Sequence, residues 1–454
     1  MKKFTFGKAL SLTALASAMV LSSCQKEEMM EQQFASPSEA QQTSETSQAI
    51  EGQYIVVFKD GTTGTSSAGG ALASASVRQA VLAQSGIQAT AVKETFQGAV
   101  KGFAAKLSSD QLKELRNNPE VAYIEQDKII SLGKNNNNGK GKPSGTSTTT
   151  ETSTSTTTDT NTSTTTTEPT TTTTTTTTTS PTTTTTTTTS SGTVAAITPL
   201  SGELVPWNIQ KVGYGDGRGK TVWIIDSGVD TDHPDLTVDL SKSKSFVSGT
   251  TSVEDGYGHG TTVAGIIAAK NNGSGMIGVA SGATIVALRV FDNAGAGTLS
   301  SAISAVSHVN SYAKAGDVVN MSIGSGISST LDYLVKSAAS KGIKFAIAAG
   351  NSGVDCASTS PARVDAAGVY TVSAMDSYAR LWDRSNYGLA VDFAAPGVNV
   401  TTTTKGGSIG GGAYGTSFAA PHVAGILLLK GTVSGKGTIT GDKDSKADPI
   451  ASLN

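Results

Sequence analysis

The low-complexity stretch 134–193 decides how the rest of this chain can be built. An Asn/Gly/Lys patch leads into threonine after threonine, broken by scattered Ser, Pro and Glu. β-Branched residues without an apolar pattern have no face to bury, so nothing repays the entropy of ordering them. The stretch reads as an extended or disordered linker. At 454 residues the chain is too long for one ordinary domain, so globular parts are expected on both sides of it.

Charge and cysteine usage narrow the partners. With 34 basic and 36 acidic side chains the net charge is −2, and nothing points to a nucleic acid. Two cysteines exclude a disulfide framework. Residues 1–24 read as an address. Lys2, Lys3 and Lys8 precede the apolar run 9–21, too short to span a bilayer and shaped like a signal peptide. Leu21-Ser22-Ser23-Cys24 resembles a bacterial lipobox, which implies a lipidated Cys24 as membrane anchor; ordinary cleavage that leaves a free cysteine is the alternative. Gln25-Lys26-Glu27-Glu28 looks like the charged tags of surface-exposed lipoproteins. Residues 25–50, rich in Gln, Ser, Glu and Thr, read as a solvated tether. Export to the outer membrane or cell surface is the expected localisation.

Residues 51–133 regain globular character. An apolar strand at 53–60, a helix near 75–85, a strand through 98–107, a helix at 109–117 capped by Ser108 or Ser109, and a strand at 121–125 are read as a β-α-β-β-α-β order with one strand left unplaced. That is a small α+β, ferredoxin-like domain.

Beyond the linker, residues 203–454 alternate strands with helices, which predicts an α/β fold: a doubly wound, mostly parallel sheet with helices on both faces. The β-branched run Thr221-Val222-Trp223-Ile224-Ile225 ends in Asp226, and 284–290, 317–321 and 344–351 read as further buried strands, with a helix at 302–313. Asp226 and Asn351 fall at strand C-termini, where open α/β sheets place their sites. His259 lies in the glycine-lined Asp255-Gly256-Tyr257-Gly258-His259-Gly260-Thr261, which opens a small-residue helix. Ser417, in Gly415-Thr416-Ser417-Phe418-Ala419-Ala420-Pro421-His422, begins another helix whose free N–H groups can hold an oxyanion. A serine that merely caps the helix is the alternative. Pro421 is expected within or just after the first turn, where a missing N–H does least harm. A serine hydroxyl needs a base and an orienting acid, and His259 and Asp226 are of the right types. His422, inside the helix, reads as structural. His233, among Asp230, Asp232 and Asp235, reads as a solvated turn, with a cation site as the alternative. His308 carries no signal.

Asp, then His, then Ser is the chain order of subtilisin. With their flanking motifs these residues resemble the subtilisin family of serine proteases, in its proteinase K-like branch, over about residues 203–454. The resemblance implies a subtilisin-like fold and a serine endopeptidase acting on proteins or peptides, with Asp226, His259 and Ser417 as catalytic residues and no cofactor required for chemistry. Ala349-Gly350-Asn351-Ser352-Gly353 matches the family's oxyanion motif, so Asn351 would meet the oxyanion beside the Ser417 N–H. Substrate would pair as an extended strand near Ser322, Ile323 and Gly324, with Ala348, Ala349 and Gly350 walling a pocket for an uncharged residue. Asp392 matches a position where such enzymes bind structural calcium, with carbonyls from about Ala367 and Val369; an ordinary strand aspartate is the alternative. Residues 51–133 resemble the family's inhibitory propeptide, which implies a zymogen with its own propeptide as intramolecular inhibitor.

Departures from the family pattern are the long spacer, Thr262 where relatives often have histidine, and Ala390 where some pair a cysteine with Cys356. A free, part-buried thiol follows, and the short polar chain after Gly431 implies reduced C-terminal covering elements. The expectation is a lipid-anchored zymogen whose maturation cut, between about Leu132 and Leu204, frees the catalytic domain. A catalytically inactive surface-binding relative and an adhesive stalk are the rivals.

Overall fold

The computed structural model describes residues 48–59, 67–132 and 194–454, so the expected signal peptide, the expected lipid anchor Cys24 and the threonine-rich stretch lie outside the described residues. The N-terminal domain runs β1 (Ala49–Phe58), α1 (Ser67–Gln84), β2 (Val92–Phe96), β3 (Gly102–Lys106), α2 (Ser109–Arg116) and β4 (Val121–Ser131). Its strands lie in the order β4-β1-β3-β2, every pair antiparallel. Helix α2 starts where Ser108 accepts from the Gln111 N–H and the Gln111 side chain reaches back, a capping box.

Strand β1 is apolar on both faces, unusual for an antiparallel sheet, which commonly leaves one face wet. Val56 and Phe58 face the domain's own core with Val81, Phe103 and Leu115. Ile55 and Val57 face the other way and join a cluster built mainly from the second domain. The N-terminal domain is thus covered on its second face by the body of the protein.

That body is a nine-stranded sheet. Its strands are β5 (Thr221–Asp226), β6 (Lys244–Ser245), β7 (Thr284–Arg289), β9 (Val318–Met321), β10 (Lys344–Ala348), β11 (Val369–Met375), β12 (Phe393–Pro396), β15 (Ser434–Thr438) and β16 (Pro449–Ser452). They run in the order β15-β16-β12-β11-β10-β9-β5-β7-β6, all parallel to their neighbours except β15. Outside this sheet lie β8 (Ala296–Thr298) and the hairpin β13 (Val398–Thr404) with β14 (Ser408–Tyr414). The helices are α3 (Trp207–Val212), α4 (His259–Ala268), α5 (Leu299–Tyr312), α6 (Ser329–Ala339) and α7 (Thr416–Lys430).

The strands read as continuous apolar runs because both faces are covered. Val222 and Ile224 of β5 join one cluster with residues of α4 and α7, while Trp223 and Ile225 join the other with residues of α5 and α6. The same alternation places Ala346 and Ala348 of β10 on the first face and Phe345 and Ile347 on the second. The doubly wound fold expected from the strand–helix alternation is the one observed.

The chain's edges add detail to the expected plan. After Gly431, where reduced covering elements are expected, the short strands β15 and β16 extend the sheet, and Leu453 is buried with its N–H bonded to Val212 O at 2.7 Å. Edge pairing draws on main-chain bonds, so it needs little apolar pattern. Residues 194–202, ahead of the expected start at Glu203, also lie on the body. Ala195 O accepts from Asp216 N at 2.9 Å, and Val194 packs against the first core cluster.

The two domains meet through strand pairing and helix ends. β4 pairs antiparallel with β8, matching Ile129 to Thr298 and Ser131 to Ala296, and Leu132 N–H donates to Gly295 O at 2.9 Å. Asp127, fully buried, accepts from Ser300 N–H at 3.1 Å and Ser300 Oγ at 2.6 Å at the start of α5. Glu94 accepts from Ser304 Oγ at 2.8 Å, and Glu125 from Thr330 Oγ1 at 2.6 Å at the start of α6. Glu94 is why β2 lacks an apolar signature: its inward position holds a carboxylate satisfied by the other domain.

This docking should depend on pH. Burial raises the pKa of Glu125 above the ordinary 4.5, against the opposing bonds from Thr330 and Ser328 and the charge of Lys128. Near it on α6, Asp332 is pushed up to about 6 by burial, with Ser360, Arg363 and Lys336 opposing and Glu125 adding to the rise. Among the described residues, Glu125 Oε1 and Asp332 Oδ1 are buried without a hydrogen-bond partner, a poor setting for two negative charges. A carboxyl whose pKa is higher docked than free takes up a proton on docking. Docking is therefore strongest below the free value and weakens as pH rises from the ordinary carboxylate range through the raised, docked value. In the full-length Ser417→Ala chain, exchange protection of the β4 amides, corrected for intrinsic rate, should fall across that range. Glu125→Gln, a neutral look-alike, should keep the protection high; loosening at every pH in this variant would contradict the linkage.

Candidate active site

Three neighbouring strands deliver the site at their C-terminal ends. Asp226 is the last residue of β5, Ser322 follows β9, and Asn351 follows β10 by three residues. β9 lies between β5 and β10, so the three ends form one edge. Two helices begin over it: α4 opens on His259, and α7 carries Ser417 as its second residue.

Asp226 and His259 are both buried, and the imidazole Nδ1 lies 2.8 and 2.9 Å from the two carboxylate oxygens. Asp226 Oδ1 also accepts from Ser227 N–H at 2.7 Å. This leaves Nε2 as the nitrogen directed away from the carboxylate. Burial opposes the charged imidazolium, but the charge and hydrogen bond of Asp226, helped by the charge of Asp255, outweigh it and raise the His259 pKa above its ordinary value. Close packing of α4 on β5 requires glycine at 260, where a Cβ would come within 2.0 Å of Gly228 O.

The α7 end is organised around the half-buried Ser417. The His259 ring packs on Phe418, centroids 5.1 Å apart, which sets the imidazole beside the serine-bearing turn. Ser417 Oγ donates to Ser322 O at 3.2 Å. Pro421 stands four residues after Ser417 inside the helix, so the usual donor to Ser417 C=O is missing. Ser322 Oγ supplies it instead, at 2.7 Å. Asn351 Oδ1 accepts from Thr416 N–H and Thr416 Oγ1, both at 2.9 Å, which ties the strand-end asparagine to the first helical residue and fixes the orientation of its amide. The Ser417 N–H is among the first-turn donors that have no intrahelical acceptor.

The other expected residues fall as follows. Ser322, Ile323 and Gly324 continue from β9 along the same edge, with Ser322 and Ile323 buried. Ala348 lies on the α4/α7 face, and Ala349 is fully buried on the α5/α6 face with its carbonyl bonded to Asn386 Nδ2 at 2.9 Å. Gly350 has φ of 108°, and a Cβ there would come within 2.3 Å of Asn386 Nδ2. Asp392 accepts from Thr371 N–H at 2.8 Å, and burial followed by the neighbouring charge of Asp365 pushes its pKa up to about 6. Cys356 is free and fully buried, in one cluster with Ala390, and burial pushes its thiol up to about 12. His422 is buried and spans Phe418 O at 2.8 Å and Asn208 Nδ2 at 3.1 Å, and burial lowers its pKa to about 3. Its partners make it a brace of α7. The carboxylates around His233 turn to separate donors: Asp230 to Gly406 N–H and Asp235 to Asn272 and Met276.

Sequence reasoning missed two parts of this edge. One is β8, held by β4, whose signal was only a run of small residues after a strand. The other is the acceptor role of Asp255 beneath α4, taken up below.

The Subtilase family model matches residues 217–433, and the peptidase inhibitor I9 model matches residues 53–133. Subtilisin Savinase of Lederbergia lenta is 40% identical over 233 residues, 50% of this chain and 83% of that protein. Alkaline serine protease ver112 of Corniculantispora psalliotae is 31% identical over 340 residues, 74% of this chain and 72% of that protein. Alkaline serine exoprotease A of Vibrio alginolyticus is 31% identical over 387 residues, 84% of this chain. The chain spans 60% of that exoprotease and 61% of the similar M-protease of Shouchella clausii.

Proposed function

The chain belongs to the subtilase family of serine peptidases, and on that premise we propose that it is an endopeptidase with Ser417 as nucleophile, made as a precursor that its own N-terminal domain inhibits. The observation that carries this reading is the buried Asp226–His259 contact at 2.8 Å, set at the sheet's C-terminal edge beside the α7 N-terminus.

The Ser417 hydroxyl leaves Ser322 O, turns to His259 Nε2 and attacks the scissile carbonyl as its proton passes to the imidazole. Asp226 keeps Nδ1–H in place and steadies the imidazolium without taking the proton. The Ser417 N–H and Asn351 Nδ2–H meet the developing oxyanion. His259 then returns the proton to the leaving amine, and water repeats the sequence to release the acid. Substrate would lie extended between Ser322, Ile323 and Gly324 on one side and Gly295, Ala296 and Gly297 on the other, with Ala348, Ala349 and Gly350 lining the pocket before the scissile bond. In the docked precursor Ile130 and Ser131 pair with Gly297 and Ala296 of that second edge, so the domain would inhibit by occupying the place of substrate.

A structural calcium would sit at Asp392, with Asp365 nearby and carbonyls of Ala367 and Val369. An all-oxygen set suits a hard cation, and a cation would relieve the strain that lifts the Asp392 pKa. Chelator should then lower the melting temperature, and Asp392→Ala should remove that sensitivity. A melting curve indifferent to chelator leaves Asp392 as the acceptor for Thr371 alone.

Cys24, as a lipid anchor, would hold the precursor at the outer membrane or cell surface, and a cut ahead of the seated segment 194–204 would free the catalytic domain. Wild type should yield a soluble fragment beginning at or before Val194, while Ser417→Ala stays full length and membrane-associated. A wild-type catalytic domain that stays on washed membranes, still joined to Cys24, would overturn the release.

A further inference from the structure

Asp255 lies on the loop that opens α4, and its carboxylate is buried. Oδ1 accepts from Ser227 Oγ at 2.8 Å, Tyr257 N–H at 3.1 Å and Gly258 N–H at 2.6 Å. Oδ2 accepts from Thr261 N–H at 2.8 Å and Thr261 Oγ1 at 2.7 Å. Helix α4 begins after Gly258, whose φ of 106° and missing side chain leave it no cap of its own. Asp255 satisfies the third helical residue in its place, and Ser227 Oγ accepts from Gly260 N–H, the second, at 3.0 Å. One carboxylate therefore grips both the residue after Asp226 and the turn that starts with His259.

We infer that Asp255 is a positioning residue for the reaction: through Ser227 and the first turn of α4 it holds His259 against Asp226, and its charge supports the imidazolium that forms when Ser417 yields its proton. Three N–H and two O–H donors on one carboxylate are all satisfied only if it is ionised. Burial raises the Asp255 pKa above its ordinary value, and the bonds from Gly258, Thr261 and Ser227 oppose that rise. The other charged groups near are Lys405, whose Nζ donates to Gly256 O at 3.1 Å, and Arg289, committed to Phe291 O, Ser252 O and Asn293 Oδ1. Neither bonds Asp255, so its charge is left to act on the histidine.

This inference rests on the reading of Asp226, His259 and Ser417 as the catalytic residues, but it fails separately: hydrolysis that survives Ser417→Ala sinks that reading, whatever Asp255 does. The test is the pH profile of kcat and kcat/KM on a peptide substrate, with enzyme matured from the full chain and counted by active-site titration. Asp255→Asn should lower kcat by about a hundredfold with little change in KM, since small misplacement of a base is costly. Its acid limb in kcat/KM should move down by about half a pH unit or more, because the imidazolium has lost a supporting charge. Ser227→Ala cuts the link to β5 but keeps the charge, so kcat should fall while the acid limb stays. An acid limb unmoved in Asp255→Asn, or full kcat in Ser227→Ala, would overturn the proposal. If Asp255→Asn does not fold, Ser227→Ala decides alone.

Discussion

Replacing Ser417 by Ala should lower kcat by about a millionfold and leave the fold nearly as stable as before. Asp226, His259 and Ser417, as the proposed triad, would act as a unit, so loss of the nucleophile would remove almost all that the base and acid contribute. Stability is spared because Ser417 is half-buried and, among the described residues, its hydroxyl donates to Ser322 O alone, at 3.2 Å. His259→Ala should reach the same floor of activity by a more damaging route. Asp226 is fully buried, and the imidazole is its main partner besides Ser227 N–H. Removing the ring strands a buried carboxylate, which costs about 3 kcal/mol. The pair of variants thus separates chemistry from stability: equal loss of kcat, unequal melting temperatures. Appreciable turnover in either would contradict the assignment.

Asn351→Ala should lower kcat about a hundredfold or more with KM little changed, because the oxyanion exists only as the transition state forms. Alanine also removes the acceptor of Thr416 N–H and Oγ1, so α7 loses its anchor and about 1 kcal/mol of stability. Asn351→Asp distinguishes the two effects. A carboxylate still accepts both Thr416 bonds but offers no donor to the oxyanion. The Asp variant should melt close to wild type and still lose rate. Full kcat in Asn351→Asp would remove Asn351 from the oxyanion site.

What the sequence made legible follows from period and context. Runs such as Val222-Trp223-Ile224-Ile225 have no polar alternation because helices cover both faces, so a parallel sheet was readable from the runs alone. Asp226, His259 and Asn351 could be found because each interrupts an apolar or glycine-rich pattern at an element's end. Asp255 was invisible as a partner because its role lies in bonds to Ser227 and Thr261, which only the closed loop brings together. β2 was missed since Glu94 sits where an apolar residue belongs, satisfied by Ser304 in a domain far along the chain. β15, β16 and the β13–β14 hairpin were missed for the opposite reason: edge and hairpin strands lean on main-chain bonds and on hydroxyls such as Thr403 Oγ1, which donates to Thr261 O at 2.7 Å. Pro421 was expected to be harmless, and it is so because Ser322 Oγ replaces the donor it removes.

The claim on which everything else depends is that Ser417 is a nucleophile activated by His259. A fluorophosphonate probe reports this directly: attack by Oγ forms a phosphorus–oxygen bond and expels fluoride, leaving a stable adduct that mass spectrometry locates to one peptide. Protein matured from the full wild-type chain should carry the adduct on Ser417 alone, and the His259→Ala chain should label at a rate lower by several orders of magnitude. Absence of an adduct on mature protein, or equal labelling without His259, would contradict the account.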